Sequence, residues 1–162
     1  IDPPAKDLAK IAQMTARTVK LFGLEPVIAM MSYANFGSSK DPHATKVKDA
    51  VSYLHRYHPD LNVDGELQAD FALNREMLQD KFPFSKLAGK KVNTLIYPNL
   101  DSANSTYKLI KELNNVDSIG PIMMGMRRPV HILQLGASVE EIVNMTAVTV
   151  VDAQEKEKKQ KK

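Results

Sequence analysis

Cysteine and tryptophan are both absent from the 162 residues, and only 6% are aromatic. Without a thiol there can be no disulfide, no thiolate metal site and no cysteine nucleophile, a composition that suits a reducing compartment. Long apolar runs are missing as well. No stretch approaches the roughly 20 residues of a membrane-spanning helix, and the N-terminus lacks the basic and apolar regions of a signal peptide. A cytoplasmic protein with no membrane association is expected. Charge of one sign is equally scarce: 22 basic and 19 acidic residues give +3, and residues 155–162 (EKEKKQKK) carry +3 by themselves. The rest of the chain is neutral, so nothing in it offers nucleic acid a basic face or an aromatic platform. The sequence opens at Ile1 and runs straight into a helix signal, as an excised piece of something longer does.

What is present is the composition of one globular core, 43% hydrophobic and 25% charged,. Asp2 before Pro3 and Pro4 predicts a helix start, and Leu8, Ile11, Ala12, Thr15 and Val19 recur at helical spacing until Gly23,. The run PVIAMMSY reads as a buried strand opening into the loop SYANFGSSK,. Helix is then predicted over 44–57, strand over 61–67, helix over 68–82, loop over 82–91 and strand over 92–97. Ser102 is placed to cap a helix ending at Asn114 and Asn115,. SIGPIMMG and RPVHILQ read as two short strands around a tight turn,. Ser138 and Glu141 form a capping box for a last helix with Val139, Ile142, Val143, Thr146 and Val150 as its stripe,. Residues 1–154 thus form the folded unit, and 155–162 a charged disordered tail. Alternating helix and buried strand predict a three-layer α/β/α fold with a mostly parallel sheet, its ligands at the C-terminal strand ends.

Two loops occupy such ends. In the first, the backbone around Gly37 with Ser32, Asn35, Ser38, Ser39 and Lys40 suits a phosphate; it equally suits a plain strand-to-helix turn. In the second, Asp101, Asn104 and Lys108 share a helix face and can present an amide and an ammonium to a ligand, or serve as helix starters and solvated surface. Glu141 is a candidate base, though the capping box already employs it. His55 and His58, three apart, lack a third metal ligand nearby, and His131 in an apolar segment reads as a structural histidine.

The words MSYANFGSSK, VDGELQADFAL, YPNLDSANSTYKLIKEL and IGPIMMGMRRPVHILQLGASVEEIVNMTAVTVVDAQ, in this order, resemble the phosphate acetyl/butyryltransferase family over nearly all of the chain but the tail. More narrowly, Asn-Phe-Gly-Ser-Ser, FPFSKL and GASVEEIVNMTAV resemble the C-terminal phosphotransacetylase-like region of bacterial NADP-dependent malic enzymes. The resemblance implies the second lobe, with its C-terminal helix, of a two-lobed fold related to isocitrate and isopropylmalate dehydrogenases. It also implies an acyl-CoA site in the cleft and a first lobe as partner. The last helix then packs toward that first lobe, leaving its stripe exposed here or used in a homo-oligomer.

Active members usually carry Ser-Arg before the glycine that is Gly136 here, and an Asp five residues after it. The serine and arginine are read as stabilising acyl oxyanion and phosphate, the aspartate as deprotonating CoA. This sequence has Gln134, Leu135 and Glu141 at those positions. Losing a cation aimed at developing negative charge costs orders of magnitude in rate. Ser32, Asn35, Gly37, Ser38, Ser39, Asp101, Asn104, Lys108, Arg128 and Gln134 are the acetyl-CoA-binding candidates that the resemblance implies. The expected function is therefore acetyl-CoA binding as an allosteric signal to an N-terminal malic enzyme part, which uses NADP and a divalent metal outside these residues. An active phosphate acetyltransferase, with Arg127 or Arg128 replacing the lost cation, and an oligomerisation lobe are the alternatives.

Overall fold

The computed structural model describes residues 1–114 and 118–160. Its elements are α1 (Ala5–Leu21), β1 (Val27–Met31), α2 (Pro42–Tyr57), β2 (Asn62–Leu67), α3 (Ala69–Leu73), α4 (Arg75–Lys81), β3 (Thr94–Ile96), α5 (Leu100–Asn114) and α6 (Val139–Gln160). The strands form one parallel sheet in the order β2-β1-β3. Side chains alternate along β1. Ile28 and Met30 enter a core with Leu8, Ala12, Val47, Ala50, Leu54 and Val63 from α1, α2 and β2. Ala29 and Met31 face Ala72, Leu78 and Leu87 on the opposite side. Small alanines at 9, 12 and 16 let α1 approach closely, and both sheet faces are covered, as the expected three layers require,.

One irregularity positions the site. Met30 pairs with Gly65 and Met31 with Leu67, so Glu66 is an extra residue in β2. Strict alternation would put Leu67 on the same face as Val63; the bulge moves it to the α3/α4 face instead,. Gly65 is required here, because a Cβ would stand 2.5 Å from the Met30 carbonyl oxygen.

Several local expectations need correction. Asp2 does not cap α1: Pro4 holds the N-cap position without a side-chain bond, and Asp2 pairs with Lys46, whose hydrogen bond and charge lower its pKa. Helix α2 begins at Pro42, ahead of the predicted residue 44, because the Asp41 side chain accepts from the His43 N–H at 2.8 Å. The stretch 68–82 is two helices rather than one. Asn74, at φ −106° and ψ 97°, ends α3 and caps α4 through the Met77 N–H. Ser102 is not the cap of α5; its N–H donates to Asn99 Oδ1 at 2.9 Å. Asn115 lies outside the described residues. Residues 118–125 and 128–134 are not strands. Pro121 and Pro129 have no N–H to donate, and Gly120 and Gly125 take left-handed φ values that interrupt an extended run,. The capping box of α6 is present, with Ser138 N to Glu141 Oε2 at 2.8 Å and Glu141 N to Ser138 Oγ at 3.1 Å. Its buried residues are Met145 and Val148, whereas Val139, Ile142, Val143 and Val150 of the predicted stripe are exposed. Residues 155–160 of the expected disordered tail continue α6, with Lys156 bonded to Asp152 and Lys158 to Glu155 at 2.7 Å each.

Candidate functional site

The loop after β1 is fastened to the end of β2 by the residues around the bulge. Glu66 is fully buried; its Oε1 accepts the Gly37 N–H at 2.5 Å and its backbone oxygen accepts the Phe36 N–H at 2.9 Å. Its Oε2 is buried without a hydrogen-bond partner among the described residues. Gln68 and Asn35 exchange two bonds of 2.8 Å, and Gln68 Nε2 donates to the Tyr33 carbonyl at 2.5 Å. Phe36 holds φ +41°, uncommon for a residue with a Cβ, while its ring stands 4.9 Å from both Phe82 and Phe84,. The loop hydroxyls are occupied locally. Ser32 Oγ accepts the Ala34 N–H, Ser38 Oγ accepts the Asn35 N–H, and Ser39 Oγ accepts the Asp41 N–H while bonding the Tyr33 hydroxyl. The frame behind them includes Asp64, which accepts from Gly65 N, Ser85 Oγ and Lys86 N at 2.7–3.0 Å, with the His55 ring 3.6 Å away. His55 Nε2 is bonded to the Val63 carbonyl oxygen at 2.8 Å.

A separate cavity of about 230 Å3 lies between α5, residues 118–120, the turn 133–137 and the start of α6. Gln134, Leu135 and Glu141, three of the residues singled out in the sequence, line it together. Tyr107, Lys111 and Ser118 complete its polar wall, none of which the sequence reading singled out. The signal was available in part: Lys111 stands one turn beyond Lys108 and two beyond Asn104, and Asp101, Asn104, Tyr107, Lys108 and Lys111 fall on one stripe of α5,. The Tyr107 and Ser118 hydroxyls are 3.1 Å apart, and Lys111 Nζ is 3.8 Å from Glu141 Oε1. The Ser138 N–H, followed by the Lys111 ammonium and the Ser138 side chain, holds the Glu141 carboxyl below the ordinary glutamate range. A lowered pKa makes Glu141 a weaker base.

Leu135 is fully exposed at this cavity. Arg127 and Arg128 are exposed and do not line it. Asp101, Asn104 and Lys108 are exposed on α5, with the Lys108 ammonium 5.5 Å from the Tyr107 ring. The structure thus brings Gln134, Leu135 and Glu141 to one cavity and binds Ser32, Asn35, Gly37, Ser38 and Ser39 into one loop. The cavity is smaller than the roughly 300 Å3 at which small-molecule sites begin,.

The family model described as phosphate acetyl/butaryl transferase matches residues 1–150. An NADP-dependent malic enzyme of Escherichia coli is 41% identical over 154 residues, covering 94% of this chain and 20% of that protein. A phosphate acetyltransferase of Clostridium acetobutylicum is 43% identical over 154 residues, covering 94% of this chain and 46% of that protein. The crystal structure of a phosphotransacetylase from Streptococcus pyogenes superposes with a TM-score of 0.89 at 42% identity, covering 96% of this chain and 47% of that one. The chain therefore spans about half the length of these two transferases and a fifth of the malic enzyme.

Proposed function

The chain belongs to the phosphate acetyl/butaryl transferase family, and we propose that it is a lobe that binds acetyl-CoA as a regulatory ligand of a malic enzyme rather than transferring its acetyl group. Overall identity does not separate the two classes of relative, at 41% and 43%. The reading rests instead on the chemistry of this chain's own residues at the cavity.

The observation that carries the reading is Leu135, an exposed aliphatic side chain on the cavity that also holds Gln134 and Glu141. Acyl transfer from a thioester to phosphate builds negative charge on the carbonyl oxygen while an anion approaches. A donor or cation fixed at that point lowers the barrier by several kcal/mol. Leucine offers neither hydrogen bond nor charge, and Gln134 contributes at most an amide donor. Glu141, already accepting from the Ser138 N–H, is poorly suited to take the thiol proton in the reverse direction. The loop 32–39 keeps its fastening to Glu66 and Gln68, so a binding frame persists where the chemistry is weakened. Binding then regulates if acetyl-CoA prefers one conformation of the longer enzyme, shifting its population.

The test uses the full-length protein. Calorimetry should detect acetyl-CoA binding, NADP-dependent malate decarboxylation should fall in its presence, and acetyl phosphate formation from acetyl-CoA and phosphate should stay at background. Brisk acetyl phosphate formation overturns the reading. A working transferase is favoured by one observation, the Lys111 ammonium on the same cavity wall. On that reading Lys111→Ala removes most of the transfer rate while Arg127→Ala and Arg128→Ala leave it.

A further inference from the structure

Two side chains, neither of them a site candidate from the sequence, meet the loop after β1 at the neighbouring residues Phe36 and Gly37. The first is Phe84. It is 70% exposed, yet its ring is held 4.9 Å from Phe36 and 5.9 Å from Phe82 at near edge-to-face angles of 70° and 79°. Phe36 and Phe82 stand only 4.9 Å from each other, so both lie on one side of Phe84. Its other side faces water. A large aromatic ring restrained in the open is a platform whose ordering cost is met before a ligand arrives.

The second is Lys48, which reaches the loop from α2. Its Nζ lies 3.7 Å from where a Cβ on Gly37 would stand. Lys48 is exposed, and its ammonium has no hydrogen bond or ion pair among the described residues. Within 32–41 the charges of Lys40 and Asp41 cancel, so Lys48 leaves this corner with a net cation. Asp49, the next residue of α2, projects about 100° around the helix from it,. Glu66 is fully buried, with Oε1 on the Gly37 N–H, and presents no surface to a ligand.

The loop itself supplies hydroxyl donors rather than amides. The Phe36 and Gly37 N–H groups are both taken by Glu66, so they are not available to a phosphate. Ser38 Oγ accepts the Asn35 N–H and keeps its own proton to donate,. Tyr33 and Ser39 share one hydroxyl–hydroxyl bond of 2.9 Å, which leaves the pair one free O–H,. We propose that this surface binds the adenosine-phosphate end of acetyl-CoA, with adenine on the open face of Phe84 and a phosphate on the Lys48 ammonium and these hydroxyls. The assignment rests on the acetyl-CoA reading above and adds to it which part of the coenzyme is recognised here. Stacking requires a planar face, and Gly37, without a side chain, leaves the way open between ring and ammonium.

Acetyl-CoA, adenosine 3′,5′-bisphosphate and inorganic phosphate, titrated by calorimetry into the full-length protein, provide the test. The bisphosphate should bind alone and compete with acetyl-CoA, and inorganic phosphate, lacking the base, should bind about tenfold more weakly or less. Phe84→Leu keeps apolar bulk without the planar face and should weaken both nucleotide ligands about tenfold, with Phe84→Tyr restoring them. Lys48→Met should weaken both by a similar factor, more at low salt than at high, and Lys48→Arg should restore them. Both positions are exposed, so the variants should fold, which circular dichroism checks. Acetyl-CoA binding without bisphosphate binding, or indifference of both ligands to Phe84→Leu and Lys48→Met, overturns the proposal and leaves the regulatory reading standing. Bisphosphate binding without acetyl-CoA binding makes a free nucleotide the ligand and overturns the regulatory reading; binding of neither overturns both.

Discussion

Replacing Asp64 tests whether the frame beneath the loop 32–39 depends on one buried carboxylate. Asp64 is 6% exposed; Oδ1 accepts from Gly65 N at 3.0 Å, and Oδ2 accepts from Ser85 Oγ at 2.8 Å and Lys86 N at 2.7 Å. Truncation to alanine orphans two buried donors, the Ser85 hydroxyl and the Gly65 N–H, while Lys86 is exposed and its N–H can turn to water. At about 1–3 kcal/mol for each buried group left unsatisfied, Asp64→Ala should cost about 4 kcal/mol. Asp64→Asn retains one acceptor. With its oxygen toward Ser85 and Lys86, its amide nitrogen faces the Gly65 N–H, and the cost should be about 2 kcal/mol. Ser85→Ala removes two bonds, the donation to Asp64 and the acceptance of the Leu87 N–H at 3.2 Å, and should cost about 2 kcal/mol,. In a domain of this length these translate into losses of Tm of about 12, 6 and 6 °C. Urea denaturation followed by circular dichroism reads the order, and a Asp64→Asn, Ser85→Ala double-mutant cycle reads the coupling. If Asp64→Ala proves no more damaging than Ser85→Ala, the carboxylate does not organise this corner and the argument fails.

Three further expectations concern single positions. Phe36→Ala should cost about 2 kcal/mol by removing a half-buried ring from contact with Phe82 and Phe84,; Phe36→Gly should be no worse, because glycine relieves the φ of +41°, and chemical denaturation compares the two,. Gly65→Ala drives a Cβ to 2.5 Å from the Met30 oxygen and should cost about 3 kcal/mol, whereas Gly136→Ala meets nothing within 4 Å and should cost about 1 kcal/mol for its left-handed φ,. The Glu141 carboxyl has a lowered folded-state pKa, so its stabilisation of the start of α6 is present above the ordinary value of about 4.5 and is lost as pH falls through the folded value beneath it,. Hydrogen exchange at the Ser138 amide should show this loss of protection in acid, and Glu141→Gln should abolish the pH dependence.

Much of the fold was legible because its signals are local. The apolar period of α1, the continuous run of β1 and the Ser138–Glu141 box each act within a few residues. The misreadings arise where structure depends on distant neighbours. Residues 118–125 and 128–134 have strand-like composition, but apolar character alone supplies no hydrogen-bond ladder. The buried face of α6 is set by what it meets, and the apolar residues Val139 and Val143 do not meet it. At the site, Gln134 and Glu141 could be picked out along the chain. That Lys111 and Tyr107 stand opposite them could not, since it depends on how α5 and α6 close around residues 118–137.

The exposure of Leu135 also separates two explanations of its identity. A leucine buried in a core is held there by packing, and exchanging it for a charged residue would cost stability. This leucine gains no burial, so its neighbours place no demand on an aliphatic side chain,. An arginine could occupy the same backbone position with its guanidinium in water or on a ligand, at a stability change within about 0.5 kcal/mol. The fold of these 162 residues therefore does not account for the leucine, and what distinguishes it from arginine at the cavity is the interaction each can offer to a bound anion. Leu135→Arg should accordingly leave Tm unchanged while strengthening phosphate binding at the cavity, measured by phosphate titration. A large loss of stability would mean that leucine serves packing after all, and the inference from its chemistry to the loss of transfer would have no footing.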